Sequence, residues 1–241
     1  MFRGILSGSL ILSVLTLAAH ADPAGDVKAA AKKLADSANY SWKSSVEGGF
    51  RPGGTTGKTE KEGYTVLSIT MGDNTFEAVM KGDQAALKLE DGWKSVAEAS
   101  SGEPGQPNPG RFVARSVSNF KAPAKQAEEL AGRAKDLAKS EDAYAGALTE
   151  DGAKALMTFG RRGGGNANAT PPEISNAKGS VKFWVDKDGV LSKMEFNVQG
   201  SMSFNGQDRD INRTTTVEIK DVGSTKIEVP AEAKAKMAAV K

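Results

Sequence analysis

The chain has 241 residues, a formal net charge of +2, no cysteine and one histidine. The missing cysteines exclude disulfides, thiolate metal sites, a cysteine nucleophile and a lipid-anchoring lipobox. The one histidine is His20, so beyond it the Ser-His-Asp triad, histidine acid–base chemistry and imidazole metal ligands are all excluded, and the near-neutral charge implies no nucleic acid partner.

Met1–Ala21 carries Arg3, the apolar run ILSGSLILSVLTLAA and then Ala19-His20-Ala21, the pattern of a secretory signal peptide with an A-x-A cleavage site. The run falls short of the roughly 20 apolar residues of a spanning helix. The expectation is an exported protein beginning at Asp22, soluble after cleavage, in the periplasm of a Gram-negative-type bacterium or secreted. Residues 22–241 then fit a single domain.

Pro23–Ala38 places Val27, Ala30, Ala31 and Leu34 at helical spacing. Tyr40, Trp42, Ser44 and Val46 alternate with polar residues, as in a first strand. GGFRPGGTTG, residues 48–57, reads as a flexible loop. Three β-forming runs follow, Tyr64–Met71, Thr75–Met80 and Gln84–Leu89, separated by turns at Gly72-Asp73-Asn74 and Gly82-Asp83, with a further turn at Asp91-Gly92-Trp93. This is the pattern of an antiparallel meander.

SSGEPGQPNPG, residues 100–110, breaks the meander, and the pattern turns helical. Phe112, Val113, Val117 and Phe120 are spaced as in a helix. Pro123–Leu137 starts on proline and lines up Ala127, Leu130, Ala134 and Leu137 in one stripe. Ala143–Leu148 suits a strand, and Thr149 caps a helix that runs to Phe159 with Ala153, Leu156 and Met157. These segments define a helical insert at about 111–159. GRRGGGNANATPP, residues 160–172, is a low-complexity linker.

Lys178–Val222 organises the chain as three long antiparallel strands. Asn205-Gly206 is a strong two-residue hairpin signal, and it places Phe204 opposite Gln207, Met194 opposite Val217 and Ser192 opposite Ile219. A four-residue turn at Asp186-Lys187-Asp188-Gly189 would set Val185 opposite Val190, Phe183 opposite Ser192 and Val181 opposite Met194. Under this register Val181, Phe183, Val185, Val190, Met194, Phe196, Val198, Val217 and Ile219 share one apolar face. Lys182, Lys193, Glu195, Thr216 and Glu218 share the other, along with an outer pair, Trp184 and Leu191. Thr225–Val229 reads as a last short strand and Pro230–Val240 as a C-terminal helix.

Candidate chemistry is sparse. Asp186-x-Asp188-Gly189 resembles the opening of a calcium loop, but the twelfth position is Asn197 where a bidentate glutamate is required, which leaves a hairpin turn. Asp208, Asp210 and Asp221 fit strand-edge solubility. Glu60 with Glu62, and Glu128 with Glu129, are solvated charges. Gly163-Gly164-Gly165 lacks the ending of a phosphate loop, and Arg161-Arg162 is a basic loop. No catalytic residue, cofactor or metal is expected, and an enzyme would need carboxylates or a Ser-Lys pair.

The apolar face fits two arrangements. One is a filled core under helices. The other is a curved sheet around a cavity for an acyl chain, lined by Phe183, Met194, Phe196, Val198, Met202 and Val217, since methionine and phenylalanine adapt to flexible guests. Arg209 opposite Met202 and Arg213 opposite Val198 stand on this face and would meet the head group.

The signal peptide, a helix leading into Tyr40-x-Trp42, the meander, the insert, the hairpin VKFWVDKDGVL (residues 181–191) within Val181–Phe196, and the ending TKIEVP (residues 225–230) resemble the LolA/LppX/LprG superfamily of bacterial envelope carriers of lipids and lipoproteins. The resemblance implies an α+β fold: a strongly curved antiparallel sheet, a half-open barrel, with helices over its concave face. It implies a soluble, non-catalytic, monomeric carrier whose partner is a lipid or acylated lipoprotein, with peripheral membrane contact. No binding residue is carried over from that family. A structural or protein-binding envelope module with a filled core is the alternative.

Overall fold

The computed structural model describes residues 22–49, 53–101, 108–158, 173–204 and 207–238. The leader Met1–Ala21, the Asn205-Gly206 turn and the linker at 160–172 lie outside them.

Short strands joined by tight turns pair with their sequence neighbours, because closing a short loop costs little entropy. Here β1 (Asn39–Gly48), β2 (Gly53–Glu60), β3 (Thr65–Met71), β4 (Asn74–Lys81), β5 (Gln84–Leu89) and β6 (Gly92–Ser95) form one antiparallel meander. The turns β3–β4 and β4–β5 are two residues long and open on Gly72 and Gly82, at φ 59° and 56°. Glycine takes that conformation with no Cβ clash. A second meander holds β7 (Ala134–Ser140), β8 (Ala143–Leu148), β9 (Glu173–Val185), β10 (Leu191–Phe204) and β11 (Gln207–Lys220). The antiparallel β1–β11 ladder joins the two, giving the order β6-β5-β4-β3-β2-β1-β11-β10-β9-β8-β7. The sheet is curved and not closed: its gap lies between β6 and β7. The expected α+β half-open barrel is therefore observed.

Helices fill the concavity. The chain crosses from β6 to β7 through α2 (Val96–Ser100), α3 (Pro109–Ser118) and α4 (Pro123–Arg133), so helical chain spans the gap. The first helix, α1 (Pro23–Asp36), packs on α4 and reaches β7, β9 and β10, while α5 (Glu150–Met157) lies on β8, β9 and β10. Val27, Ala30, Ala31 and Leu34 of α1 share one continuous core with Val113 and Val117 of α3, Leu130 of α4, and Phe183, Met194 and Val217. The last helix, α6 (Ala231–Ala238), packs on the opposite sheet face, where Ala233 and Met237 cover Val79, Ala86 and Trp93. Neighbouring Ala78 and Ala85 face the main core. Both faces of these strands are covered, which accounts for their unbroken apolar runs.

Several elements depart from the sequence reading. The glycine-rich segment expected to be a loop holds β2 from Gly53 onward, and Gly57 is paired with Trp42. A methyl group at Gly57 would lie 2.3 Å from Cζ2 of the Trp42 indole, so this glycine makes room for a ring. Helix α4 stops at Arg133, after Gly132, and the chain enters β7 at Ala134, where pairing with β8 overrides helix propensity. The insert at 111–159 is thus not purely helical: β7 and β8 lie within it and extend the sheet. Thr225–Val229 forms no strand, because the Thr225 N–H donates to Asn39 Oδ1 (2.7 Å) and the Lys226 carbonyl accepts from Lys58 Nζ (3.1 Å).

The β10–β11 register is as expected, with Met194 opposite Val217, Val198 opposite Arg213 and Phe204 opposite Gln207. The β9–β10 register is not. Val185 opposes Leu191; past an irregularity between Leu191 and Lys193, Phe183 opposes Met194 and Val181 opposes Phe196. The offset from expectation is two places, so Met194, Phe196 and Val198 keep the expected face. Leu191 lies before the irregularity and turns inward to full burial. Trp184 therefore has no leucine partner on the outer face; Lys193 Nζ and Lys182 Nζ lie 4.6 and 5.9 Å from its ring centre. The Asp186 turn is held by its own carboxylate, which accepts from the N–H groups of Asp188 and Val190, both at 2.9 Å.

Two tests follow from this packing. Gly57→Val should lower stability by about 1–3 kcal/mol in urea unfolding, since the side chain must enter space held by the buried Trp42 ring. The second concerns α6. Its Lys236 Nζ donates to Glu98 Oε1 (2.8 Å), and the Ser95 N–H donates to Glu98 Oε2 (2.7 Å). The lysine first, then the Ser95 amide, hold the Glu98 carboxyl down at about 2. A depressed folded value stabilises above the unfolded carboxylate range and is lost as pH falls through the folded value. Docking of α6 should accordingly loosen between roughly pH 4.5 and pH 2, read as a change in Trp93 fluorescence that Glu98→Gln moves to neutral pH.

Candidate functional site

Small side chains at the middle of the sheet create a depression in its concave face. Ser44 on β1 is paired with Thr55 on β2 and with Val217 on β11; its neighbour Val46 is paired with Thr215. Serine and threonine at these inward positions cannot fill the depth that their bulky neighbours fill. Trp42, Leu67 and Ile69 border the depression on one side and Phe196 on the other. The α3–α4 junction forms the roof, with Asn119, Phe120, Lys121 and Pro123, and Leu156 of α5 closes one end. Phe120 stacks on Trp42 with ring centres 5.5 Å apart and planes 16° from parallel, a contact that ties roof to floor. The enclosed space is about 290 Å³, mostly apolar and partly open.

Two cations line it, Lys121 and Arg213. Lys121 is paired with Glu129 at 2.5 Å. Arg213 stands in the inward row of β11 between the buried Ile211 and Thr215, opposite Val198 on β10 and Gly48 on β1. Gly48 and Gly49, at φ 73° and 70°, end β1, and a Cβ on Gly49 would lie 3.4 Å from Arg213 Cδ. The Arg213 stem uses that space. Its Nη2 donates to the Leu156 carbonyl in the last turn of α5 (2.8 Å), where unsatisfied carbonyls and the helix dipole favour a cation. Burial alone pushes its guanidinium below the ordinary value.

Among the described residues that line the site there is no carboxylate, histidine or cysteine. Tyr40 is buried beneath α4, and burial pushes its phenol up to about 12, far from the range useful for proton transfer near neutrality. Among the described residues no group of three or more His, Cys, Asp or Glu could hold a metal ion. The arrangement can enclose an apolar chain and present a cation beside it.

Of the residues singled out from sequence, Phe196, Val217 and Arg213 line the cavity. Phe183, Met194 and Val198 are fully buried in packed core, and Met202 is 4% exposed among the same contacts; none of the four is on the cavity wall. Helices α1, α4 and α5 fill that half of the concavity. Arg209 is exposed on the outer part of the β10–β11 hairpin, away from the lining. Trp42, Leu67, Ile69 and Phe120 were not anticipated as lining. The alternation of Tyr40, Trp42, Ser44 and Val46 was the available signal, but their partners lie far away in sequence.

Among solved structures the chain is similar to lipoprotein LppX of Mycobacterium tuberculosis, at 9% identity over 86% of this chain and 98% of that one, TM-score 0.49. It is similar to LprF of Mycobacterium bovis, at 11% identity over 88% and 97%, TM-score 0.44. A third similar structure, from Vibrio parahaemolyticus, is named as an outer membrane lipoprotein-sorting protein domain, at 11% identity over 84% and 93%, TM-score 0.26. No family profile and no curated protein matches the chain.

The split between filled and open halves is measurable. Phe183→Ala should cost about 3–5 kcal/mol, the value for emptying a packed aromatic site. Phe196→Ala, which borders space already present, should cost clearly less in the same urea titration.

Proposed function

We propose that this protein binds the acyl chain of a lipid or lipoprotein in the cavity between β1, β11 and the α3–α4 junction, and does not transform it. The carrying observation is the cavity itself: about 290 Å³ of mostly apolar, partly open space at the centre of the concave face, just below the roughly 300–1,000 Å³ of small-molecule sites. Trp42, Phe120, Phe196 and Val217 offer the wall that hydrocarbon needs. Supporting the non-catalytic reading, no histidine follows His20 and no cysteine occurs.

In this reading residues 22–241 are one domain preceded by a signal peptide at 1–21, and the protein works in the bacterial envelope as a soluble carrier or sensor. The names of the similar structures, a lipoprotein and a lipoprotein-sorting domain, agree with that compartment. Among the described residues no helix is long and apolar enough to cross a membrane.

Native mass spectrometry of protein purified from membrane-containing cells should show adducts in the mass range of lipids. A fluorescent fatty acid should bind and be displaced by lipid extracts. A clean unliganded mass together with no displaceable probe would reject the proposal in favour of a filled-core, protein-binding module.

A further inference from the structure

Among the described residues, the cavity holds one charge without an opposite charge beside it, that of Arg213. Lys121 is neutralised by Glu129. The Arg213 side chain is half-buried, and among the described residues no carboxylate is paired with it and its guanidinium has one hydrogen-bond partner, the Leu156 carbonyl. A guanidinium has five N–H donors in a planar fork, so most of them remain for something else. The neighbours along its row are Ile211, Thr215, Val217 and Ile219, all buried. An apolar side chain would fit that row at lower desolvation cost than a half-buried cation. The cation is best explained by an anion that arrives from outside.

We propose, resting on the acyl-chain reading above, that the ligand is a single-chain amphiphile ending in a carboxylate. Its chain lies along Phe196, Val217 and Trp42, and its head accepts the free edge of the Arg213 guanidinium in a two-point fork. Volume sets the single chain: about 290 Å³ is small for a pocket that must hold branched or multi-chain lipid. Charge sets a head with one negative charge and two free oxygens. One uncompensated cation matches that count, whereas a phosphate monoester brings nearly two charges and three acceptor oxygens; a phosphodiester has the same count as a carboxylate but adds a second, bulky ester group. The other polar groups on the floor, Ser44, Thr55 and Thr215, are hydroxyls and add no charge. The Leu156 bond fixes the fork and need not break when the head arrives.

Titration calorimetry on the purified protein, with dodecanoate, dodecanol and a C12 lysophosphatidylcholine below their micelle-forming concentrations, tests this. Dodecanoate should bind about tenfold or more tighter than dodecanol, the difference made by a charge-assisted hydrogen bond. Each methylene added to the acid should tighten binding by about fourfold until the cavity is full. In Arg213→Gln the acid-to-alcohol ratio should fall to about one, and Arg213→Lys should restore only part of it, because a point charge lacks the fork. Should Arg213→Gln fail to melt cooperatively, the wild-type ratio decides. Equal binding of acid and alcohol, or a preference that survives Arg213→Gln, overturns the carboxylate site and leaves the cavity reading standing. Tighter binding of the lysophospholipid overturns it in favour of phosphate. No binding by any of the three overturns both readings.

Discussion

The fold depends on one long-range interaction, the antiparallel ladder between β1 and β11. Each meander can form from local pairing, but neither encloses anything alone. Joining the first strand to the last places both in the middle of an eleven-stranded sheet and moves the unpaired edges to β6 and β7. The chain must still travel from one edge to the other, and it does so through α2, α3 and α4. The roof of the cavity is thus a topological consequence of which strands meet. The ladder spans most of the sequence, Ser41 pairing with Lys220 and Gly48 with Arg213. It brings Trp42, Thr215 and Val217 beside one another.

Much of this was legible in the residues. Period-two alternation and tight turns identified β1, the meander β3–β5 and the β9–β11 sheet; the inner face of the last three strands was right even where the register was not. Parity explains that tolerance: a slip of two places moves partners and leaves faces alone. Leu191 shows the opposite case. Its neighbours on β10 sit past an irregularity, and alternation counted through it sends this buried residue to the wrong side. Gly53 and Gly57 misled for a different reason. Composition marks them as loop, while what fixes Gly57 is the Trp42 ring on the adjoining strand, and a Cβ on Gly53 would lie 2.8 Å from the Thr70 carbonyl oxygen. Likewise α4 and β7 share one alanine-rich sequence, and only the partner β8 decides where helix gives way to strand.

The candidate site was legible only in part, for a physical reason. Core and cavity wall use the same side chains, so Phe183 and Phe196 look alike in sequence although one is packed under helices and the other faces open space. The depression comes from what is small, Ser44, Thr55 and Thr215, on three strands that are neighbours only after the long-range ladder forms. Arg213 was visible as a charge on an apolar row. Its separation from Arg209 was not, because that depends on α5 ending close enough for the Leu156 carbonyl to accept a hydrogen bond from Arg213.

A barrel left unclosed exposes two raw borders, and each is blunted. The β6 border is four residues long and ends directly in α2, whose first turn is fastened by the reciprocal Ser95–Glu98 cap. The β7 border is interrupted: Asp136 adopts φ 54° where the β7–β8 register shifts, and Lys135 and Lys139 flank the kink. A short strand and a kinked, lysine-bearing one are poor templates for strand addition. The sheet can stay unclosed without offering its hydrogen-bonding edges to another copy, so openness and resistance to aggregation are met by different parts of the same fold.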